Sequence, residues 1–252
     1  AMNIQWDAQG YTNQFDFVHR YGEDVLTLLD RPEGSFVVDL GCGNGALTEK
    51  LADRGYRVLG IDDSEVMMQT ARELHPHLEF RRANGLTFIL PEKADAVFSN
   101  AVFHWIDGKD QKKLIANIAG QLKPGGALVC EFGGKGCAET VHSALEKNFS
   151  RRGLAYPRTF YFPTIGEYAP ILEEQGFRVE YAVLFDRPTP QKSENGLEDW
   201  IRMFVKTPFE GISDPVKEEI IRETTEELKD RLYQNGRWIV DYVRIRIKAV
   251  LH

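Results

Sequence analysis

The stretch VVDLGCGNGALTEKLADRGYRVLGIDDSEVMM, residues 37–68, decides the fold. Its apolar start predicts a buried strand, ALTEKLADRG predicts a helix, and YRVLGI predicts a second strand. Between the first strand and the helix, Gly41, Gly43 and Gly45 allow a sharp turn and let a ligand approach the backbone without meeting a Cβ. We therefore expect a loop at a helix N-terminus that presents bare amide N–H groups to a ligand.

The same alternation of strands and helices continues beyond this stretch. LEFRRA, ADAVFSN and ALVCEF predict three further strands, and QKKLIANIAGQLKPGG predicts an amphipathic helix. Such alternation is typical of βαβ crossovers and a mostly parallel sheet with helices on both faces. After about residue 150, we expect a strand at 177–185, an exposed loop in RPTPQKSENG, two helices and a long final strand. Residues 188–236 are thus predicted to be a helical cap inserted between the last two strands of a single domain, 1–252.

Composition excludes several classes of function. The 252 residues carry a net charge of −7, which argues against a basic face for nucleic acid. Cys42, Cys130 and Cys137 are too few and too scattered for a disulfide framework, so we expect free thiols in a reducing compartment. No apolar run has membrane-spanning length, and no leader or metal motif is evident. We expect a cytoplasmic protein without metal, membrane or nucleic-acid partners, either monomeric or a homodimer.

The glycine loop leaves two cofactors open. Gly41-x-Gly43-x-x-Ala46 matches the dinucleotide fingerprint, and Asp62 stands where a ribose-binding acid is expected, so NAD and S-adenosylmethionine both fit. Asp39 favours S-adenosylmethionine, because a carboxylate there would repel a pyrophosphate but could organise the ammonium of a methionine moiety. Asp39 could also simply cap nearby backbone N–H groups. An NAD(P)-dependent oxidoreductase and a sensor that binds S-adenosylmethionine without turnover therefore stay as alternatives.

Four motifs carry a resemblance to a known family. In order, VVDLGCGNGALT, VLGIDDSEVMM, FSNAVFHWI and LKPGGALV resemble the motifs of class I S-adenosylmethionine-dependent methyltransferases over residues 36–132, the cofactor-binding core. With WDAQGY and LEDWIRMF added, the whole layout is similar to the trans-aconitate methyltransferase-like branch. The resemblance implies a Rossmann-like α/β fold with a seven-stranded, mostly parallel sheet whose last strand is antiparallel, plus a small helical cap.

The resemblance also assigns cofactor-binding roles. It places Asp39 and the three loop glycines at the methionine end, and Asp62 on the ribose hydroxyls. Met67 would border the adenine with Asp63, although its helical spacing suits the core equally well. The family often has an adenine-binding acid where this chain has Ala83 and Asn84. The remaining predicted cofactor contacts face the transferred methyl or close over the cofactor: Asn100, Ala101 and Tyr11.

The acceptor site is predicted more coarsely. His104 follows the fourth strand and is the candidate general base, although it could instead pack the pocket floor with Trp105. The predicted substrate-binding residues are three further aromatic side chains and one carboxylate partner: Tyr156, Tyr161, Trp200 and Arg158. We expect methyl transfer to a small molecule with formation of S-adenosylhomocysteine. A carboxylate oxygen is the leading acceptor, and nitrogen or carbon is the alternative.

Overall fold

The protein is described here by a computed structural model that covers residues 17–252, with side chains from Tyr21 onward. Its centre is one sheet with strands β1 (Phe36–Leu40), β2 (Arg57–Asp62), β3 (Glu79–Arg82), β4 (Ala94–Asn100), β5 (Leu122–Gly133), β6 (Phe177–Pro190), β7 (Tyr233–Gln234) and β8 (Arg237–Leu251). The helices are α1 (Phe17–Leu26), α2 (Ala46–Asp53), α3 (Glu65–Leu74), α4 (Gln111–Gln121), α5 (Glu139–Ser150), α6 (Ile165–Glu174), α7 (Gly196–Phe204) and α8 (Asp214–Leu232).

The order of the strands confirms the predicted fold class. Seven strands run in the order β3-β2-β1-β4-β5-β8-β6, and the first four pairings are parallel. The last strand, β8, lies between β5 and β6 and is antiparallel to both. Every residue of β1 is buried, as expected for a parallel strand with helices on both faces.

An eighth, two-residue strand was not predicted. β7 pairs with the start of β8 through a tight hairpin at Asn235 and Gly236, whose φ angles are +53° and +77°. An Asn-Gly pair with two positive φ angles is the preferred two-residue hairpin turn. The predicted helix therefore ends at Leu232, and the described residues form eight strands instead of seven.

Strand β6 is longer than its sequence predicts. It continues to Pro190, so the start of the segment predicted as an exposed loop is strand, and the side chains of Thr189 and Gln191 are buried. Proline interrupts a sheet because it lacks an N–H donor, but an edge strand tolerates it. Pro188 and Pro190 are accommodated because β6 pairs with β8 alone.

The described residues have one core within the sheet layers and another under the later helices. Apolar side chains of β1, β4 and β5 pack against α4 and α6 on one face and against α1 and α2 on the other. A separate apolar cluster joins α5, α7 and α8 to the first half of β8. Two of these helices, α7 and α8, lie in the segment predicted to be a cap, and its role as a lid stays a prediction.

Within residues 17–252, no helix is both long enough and apolar enough to cross a membrane.

Candidate functional site

The glycine loop between β1 and α2 has a left-handed backbone at three positions. Gly41, Gly43 and Gly45 have φ angles of +74°, +56° and +87°. A Cβ on Gly41 would lie 2.4 Å from a methyl carbon of Val102, and one on Gly45 would lie 2.7 Å from the ring of Phe80. A Cβ on Gly43 would meet no described atom within 4 Å. Packing therefore requires glycine at two of these positions, and the third leaves open space for a ligand.

The first amide groups of this loop donate hydrogen bonds within the protein, so the prediction of bare N–H groups is wrong for them. The N–H groups of Gly41 and Cys42 donate to the carbonyl oxygen of Ile61, at 2.7 and 3.0 Å. The N–H of Gly43 donates to Oδ2 of Asp62 at 2.9 Å. Because these three donors are used, they are not free to bind a pyrophosphate as the loop N–H groups of dinucleotide sites do.

Two buried carboxylates lie beside the loop. Asp39, on β1, accepts a 2.7 Å hydrogen bond from Oγ1 of Thr48. Burial raises the pKa of Asp39 to about 7 against this hydrogen bond, and the charge of Asp62 adds to the rise. Burial also raises the pKa of Asp62, although the N–H groups of Gly43 and Ser64 each donate to it at 2.9 Å. In the part of the chain that is described, no basic side chain pairs with either carboxylate, so a cationic ligand would stabilise both ionised forms.

A cavity, called here the first cavity, opens where β1 and β2 end. Two carboxylates and one amide supply its polar side chains, and its other lining is apolar or glycine: Asp62, Asp63, Asn84, Leu40, Gly41, Ile61, Ala83, Gly85, Val102, Ile106 and Leu114. The carboxyl edge of a parallel sheet is where α/β proteins commonly bind ligands. Acceptor oxygens set among aliphatic walls suit the hydroxyls and the flat base of a nucleoside.

The predicted cofactor residues are only partly gathered in this cavity. Asn84 lines it, and its Oδ1 accepts a backbone N–H at 2.8 Å while keeping a second lone pair. Met67 is buried on α3 and does not line the cavity. Asn100 is buried at the end of β4 under α1, where a Cβ on Gly22 would lie 2.8 Å from its Nδ2. Tyr11 lies outside the described residues.

A second concave region, called here the aromatic pocket, lies over β8 and the end of β4. Five rings form most of its walls, and six smaller or polar residues complete it: Trp105, Phe160, Phe162, Trp200, Phe204, Ala101, His104, Cys137, Ala138, Tyr242 and Arg244. Phe160 and Phe162 stack with ring centroids 5.1 Å apart, and Trp105 packs on Phe160 at 4.6 Å. Nε1 of Trp200 donates to the hydroxyl of Tyr242 at 2.7 Å, which orients that wall.

The aromatic pocket and the first cavity adjoin at the end of β4. Ala101 lines the aromatic pocket, and the next residue, Val102, lines the first cavity. Ala101 has a φ of +62°, a conformation that costs a non-glycine residue about 1–2 kcal/mol. Its N–H donates to the carbonyl oxygen of Glu131 at 2.7 Å. The two cavities therefore adjoin at this strained turn, and the role predicted for Ala101, facing the transferred methyl, stays a prediction.

The imidazole ring of His104, the predicted general base, presents a hydrogen-bond donor. Its Nδ1 accepts the N–H of Gly133 at 2.8 Å, the one hydrogen bond that the imidazole ring makes with described residues. A nitrogen that accepts an N–H carries no proton, so the neutral ring holds its proton on Nε2. Burial, assisted by the charge of Arg244, lowers the pKa of His104 well below 6.5. At pH 7 the ring is therefore neutral and offers an N–H.

Three of the predicted substrate residues do not line the aromatic pocket, whereas Trp105 and Trp200 do. Tyr156 is buried, and its hydroxyl lies 2.7 Å from a ring nitrogen of a histidine on α5. Tyr161 packs toward the sheet core. Arg158 lines a separate open cavity, where it pairs with Glu139 at 2.8 Å and Glu146 at 2.7 Å.

Arg244 is the polar residue that the sequence analysis missed. The final strand reads VRIRIK, and the alternation puts Arg244 and Arg246 on one face while Ile245 and Ile247 enter the core. That alternation was readable in the sequence. Its neighbours were not, because they come from β5 and β6.

Comparison with known proteins gives one coherent group of relatives. A family model described as "Methyltransferase domain" matches residues 38–130. An uncharacterized methyltransferase of Schizosaccharomyces pombe is 30% identical, with 97% of each chain covered. A trans-aconitate 2-methyltransferase of Agrobacterium fabrum is 26% identical over 98% of this chain and 99% of its own.

A similar solved structure is an S-adenosylmethionine-dependent methyltransferase from Mesorhizobium loti. Its TM-score is 0.54 at 20% sequence identity, and the alignment covers 90% of this chain and 96% of the other. At this identity the likeness concerns the fold.

Proposed function

We propose that this chain methylates a carboxylate oxygen of a small-molecule acid. The chain belongs to the class I S-adenosylmethionine-dependent methyltransferases, in the branch that resembles trans-aconitate methyltransferases. Its cofactor is S-adenosylmethionine and its product is S-adenosylhomocysteine. The alternative of an NAD(P)-dependent oxidoreductase is therefore wrong. The loop agrees with this conclusion, because the N–H groups of Gly41, Cys42 and Gly43 already donate within the protein and are not free to bind a pyrophosphate.

In this proposal the first cavity and the glycine loop hold the cofactor. Asp62 would accept from the ribose hydroxyls with its remaining lone pairs, and Asn84 would accept from the adenine amino group. Asp39 would balance the ammonium of the methionine part, and Gly43 would leave room for its chain. When bound, S-adenosylmethionine supplies an electrophilic methyl group to an acceptor placed in line with its sulfonium.

One observation supports an acceptor that arrives already ionised: no described residue of the aromatic pocket offers a base at pH 7. His104 presents an N–H donor because Gly133 occupies its other nitrogen. Burial raises the pKa values of Cys137 and Tyr242, so both keep their protons. An alcohol or an ammonium acceptor needs a base, whereas a carboxylate needs none. The N–H of His104 and the guanidinium of Arg244 would instead position the carboxylate.

A transfer assay tests the proposal. We would incubate the protein with methyl-labelled S-adenosylmethionine and matched sets of small carboxylic acids, their amides, and the corresponding amines and alcohols. Label should appear only with the acids, and mild alkali should release it, because methyl esters hydrolyse and ethers and methylamines do not. Alkali-stable product from an amine or a carbon acid would refute oxygen methylation. Tight S-adenosylhomocysteine binding with no transfer to any set would support a sensor.

A further inference from the structure

A cluster of buried charges lies on the face of the sheet next to the aromatic pocket. Glu131 of β5, with a fully buried side chain, contacts three guanidinium groups. Nη1 of Arg187 lies 2.9 Å from its Oε2, and Nε of Arg246 lies 2.6 Å from its Oε1. Nε of Arg244 is 3.7 Å from Oε2. Three positively charged guanidinium groups therefore surround one carboxylate in a mostly buried site.

Several side-chain N–H donors of this cluster make no hydrogen bond. The side chain of Arg244, which is only 4% exposed, makes no hydrogen bond with any described residue, and its Nε is buried without a hydrogen-bond partner. Nε and Nη2 of Arg187 are buried without partners as well. Burial, reinforced by the charge of Arg244, lowers the pKa of Arg187 to about 10. Buried guanidinium groups with unused donors are costly, and an anion would offset that cost.

One guanidinium group of this cluster, that of Arg244, lines the aromatic pocket. Arg244 is the charged residue among the described lining, and His104 adds its Nε2 proton on the same wall. Asp241, a carboxylate on β8, is not part of the described lining, and its Oδ2 accepts the N–H of Thr140 in the first turn of α5. The rest of the described lining is mostly aromatic and apolar. The pocket thus combines one anion-binding end with a flat, apolar body.

The neighbouring open cavity shares Phe160 and Phe162 with the aromatic pocket. Its described lining has no buried guanidinium group with unused hydrogen-bond donors. Arg158 is already paired with Glu139 and Glu146. Lys135 is the other lining cation among the described residues, and it is exposed to solvent. A second carboxylate placed here would meet acidic side chains, so the charges favour an acceptor with one anionic end.

We propose that the acceptor is a monocarboxylic acid with a flat apolar body, whose carboxylate is bound by Arg244 with support from Arg187 while the body lies between the rings of the aromatic pocket. Glu131 acts as a positioning residue, because its short contacts hold Arg187 and Arg246, while its longer 3.7 Å contact with Arg244 leaves that guanidinium with donors for the ligand. This inference rests on the proposed function and narrows it, since it disfavours acids with several carboxylates such as trans-aconitate.

Three probes test the inference on the full chain: trans-cinnamate as a flat monoacid, its amide, and trans-aconitate. Binding to the protein saturated with S-adenosylhomocysteine can be followed by calorimetry, and transfer by labelled cofactor. We expect trans-cinnamate to bind about 100-fold more tightly than its amide, because the amide leaves Arg244 unpaired. We also expect a larger kcat/KM for trans-cinnamate than for trans-aconitate. A preference for trans-aconitate would overturn the inference while leaving carboxylate methylation intact.

Variants separate the binding role of Arg244 from a general loss of structure. Arg244→Gln should lower kcat/KM for trans-cinnamate about 30-fold or more, with Arg244→Lys in between. Arg152→Gln is the matched control, because Arg152, which follows α5, is also partly buried and pairs with Glu223 of α8 at 2.8 Å, but does not line the aromatic pocket. Unchanged kcat/KM in Arg244→Gln would overturn the inference. If that variant does not fold, the same kcat/KM measurement on Arg187→Gln and the ratio of the wild-type affinities for trans-cinnamate and its amide test the inference instead. Equal affinities for the acid and the amide would overturn it.

Discussion

Replacing Asp39 by Asn should stabilise the ligand-free protein while weakening its cofactor binding. Burial raises the pKa of this carboxyl from 3.8 to about 7, so native Asp39 resists ionisation by about three pKa units. At about 1.4 kcal/mol per unit, the ionised carboxylate costs the native state about 4 kcal/mol at pH 8. Asn keeps an oxygen for the 2.7 Å hydrogen bond from Thr48 and carries no charge.

The direction of the pH dependence follows from the two states of Asp39. Between pH 4 and pH 7 the native state holds a proton that the unfolded chain has lost, so wild-type stability falls as pH rises through this window and is level above it. Asp39→Asn should therefore match the wild type near pH 4 and exceed it at pH 8, where Tm should rise by about 10 °C.

Thermal unfolding at a series of pH values, with and without S-adenosylhomocysteine, measures both effects. The wild type should gain more stability from the ligand than Asp39→Asn does, because the variant cannot balance the ammonium. Asp95→Asn is the control of opposite sign. Burial acts to raise the pKa of Asp95, but the N–H of Phe36 and the charge of Lys123 prevail and lower it, so this variant should lose stability at pH 8. If Asp39→Asn is no more stable than the wild type at pH 8 without ligand, the reasoning about its buried carboxylate is refuted.

Three further predictions address the loop and the aromatic pocket. His104→Phe should lower kcat/KM for a carboxylic acid about tenfold, because the variant loses an N–H donor. The wild-type kcat/KM should not change between pH 6 and pH 8. A wild-type ionisation near pH 6.5 that disappears in the variant would instead indicate that His104 is a base. Gly43→Ala and Gly125→Ala should each cost about 1 kcal/mol of stability, because both positions have a positive φ and no described atom within 4 Å of the new Cβ. Calorimetry should nevertheless find weaker S-adenosylhomocysteine binding only for Gly43→Ala. Gly133→Ala would place a Cβ 2.4 Å from the ring of Phe162, so acceptor KM should rise while S-adenosylhomocysteine affinity is retained, and an unchanged KM would count against the position of that ring.

The fold around the predicted cofactor residues could be predicted because its signals are local. Asp39, the three glycines and Asp62 lie within one strand–loop–helix–strand unit, and each type of residue has a physical reason at its position. The error concerned the amides of the loop. Their partners, the carbonyl of Ile61 and the carboxylate of Asp62, come from the next strand, and pairing across strands cannot be seen from a glycine pattern.

Other differences also arise where a neighbour overrides a local preference. The prolines near residue 190 predicted an exposed loop, yet edge pairing with β8 keeps them in a strand. The Asn-Gly turn after α8 was readable from sequence, and it was absorbed into a helix prediction instead. Arg158 was predicted to bind the carboxylate of the substrate, but two glutamates of α5 already pair with it.

The charged end of the proposed acceptor site could not be predicted, because residues of three separated strands form it. Glu131 on β5, Arg187 on β6 and Arg244 on β8 become neighbours only when the last strand inserts between the other two. Side chains alternate along a strand, so a slip of one residue in β8 would turn Arg244 into the core and bring Ile245 to the pocket. Changes of acceptor preference should therefore arise on this face of the sheet, while the glycine loop and its carboxylates keep the same cofactor.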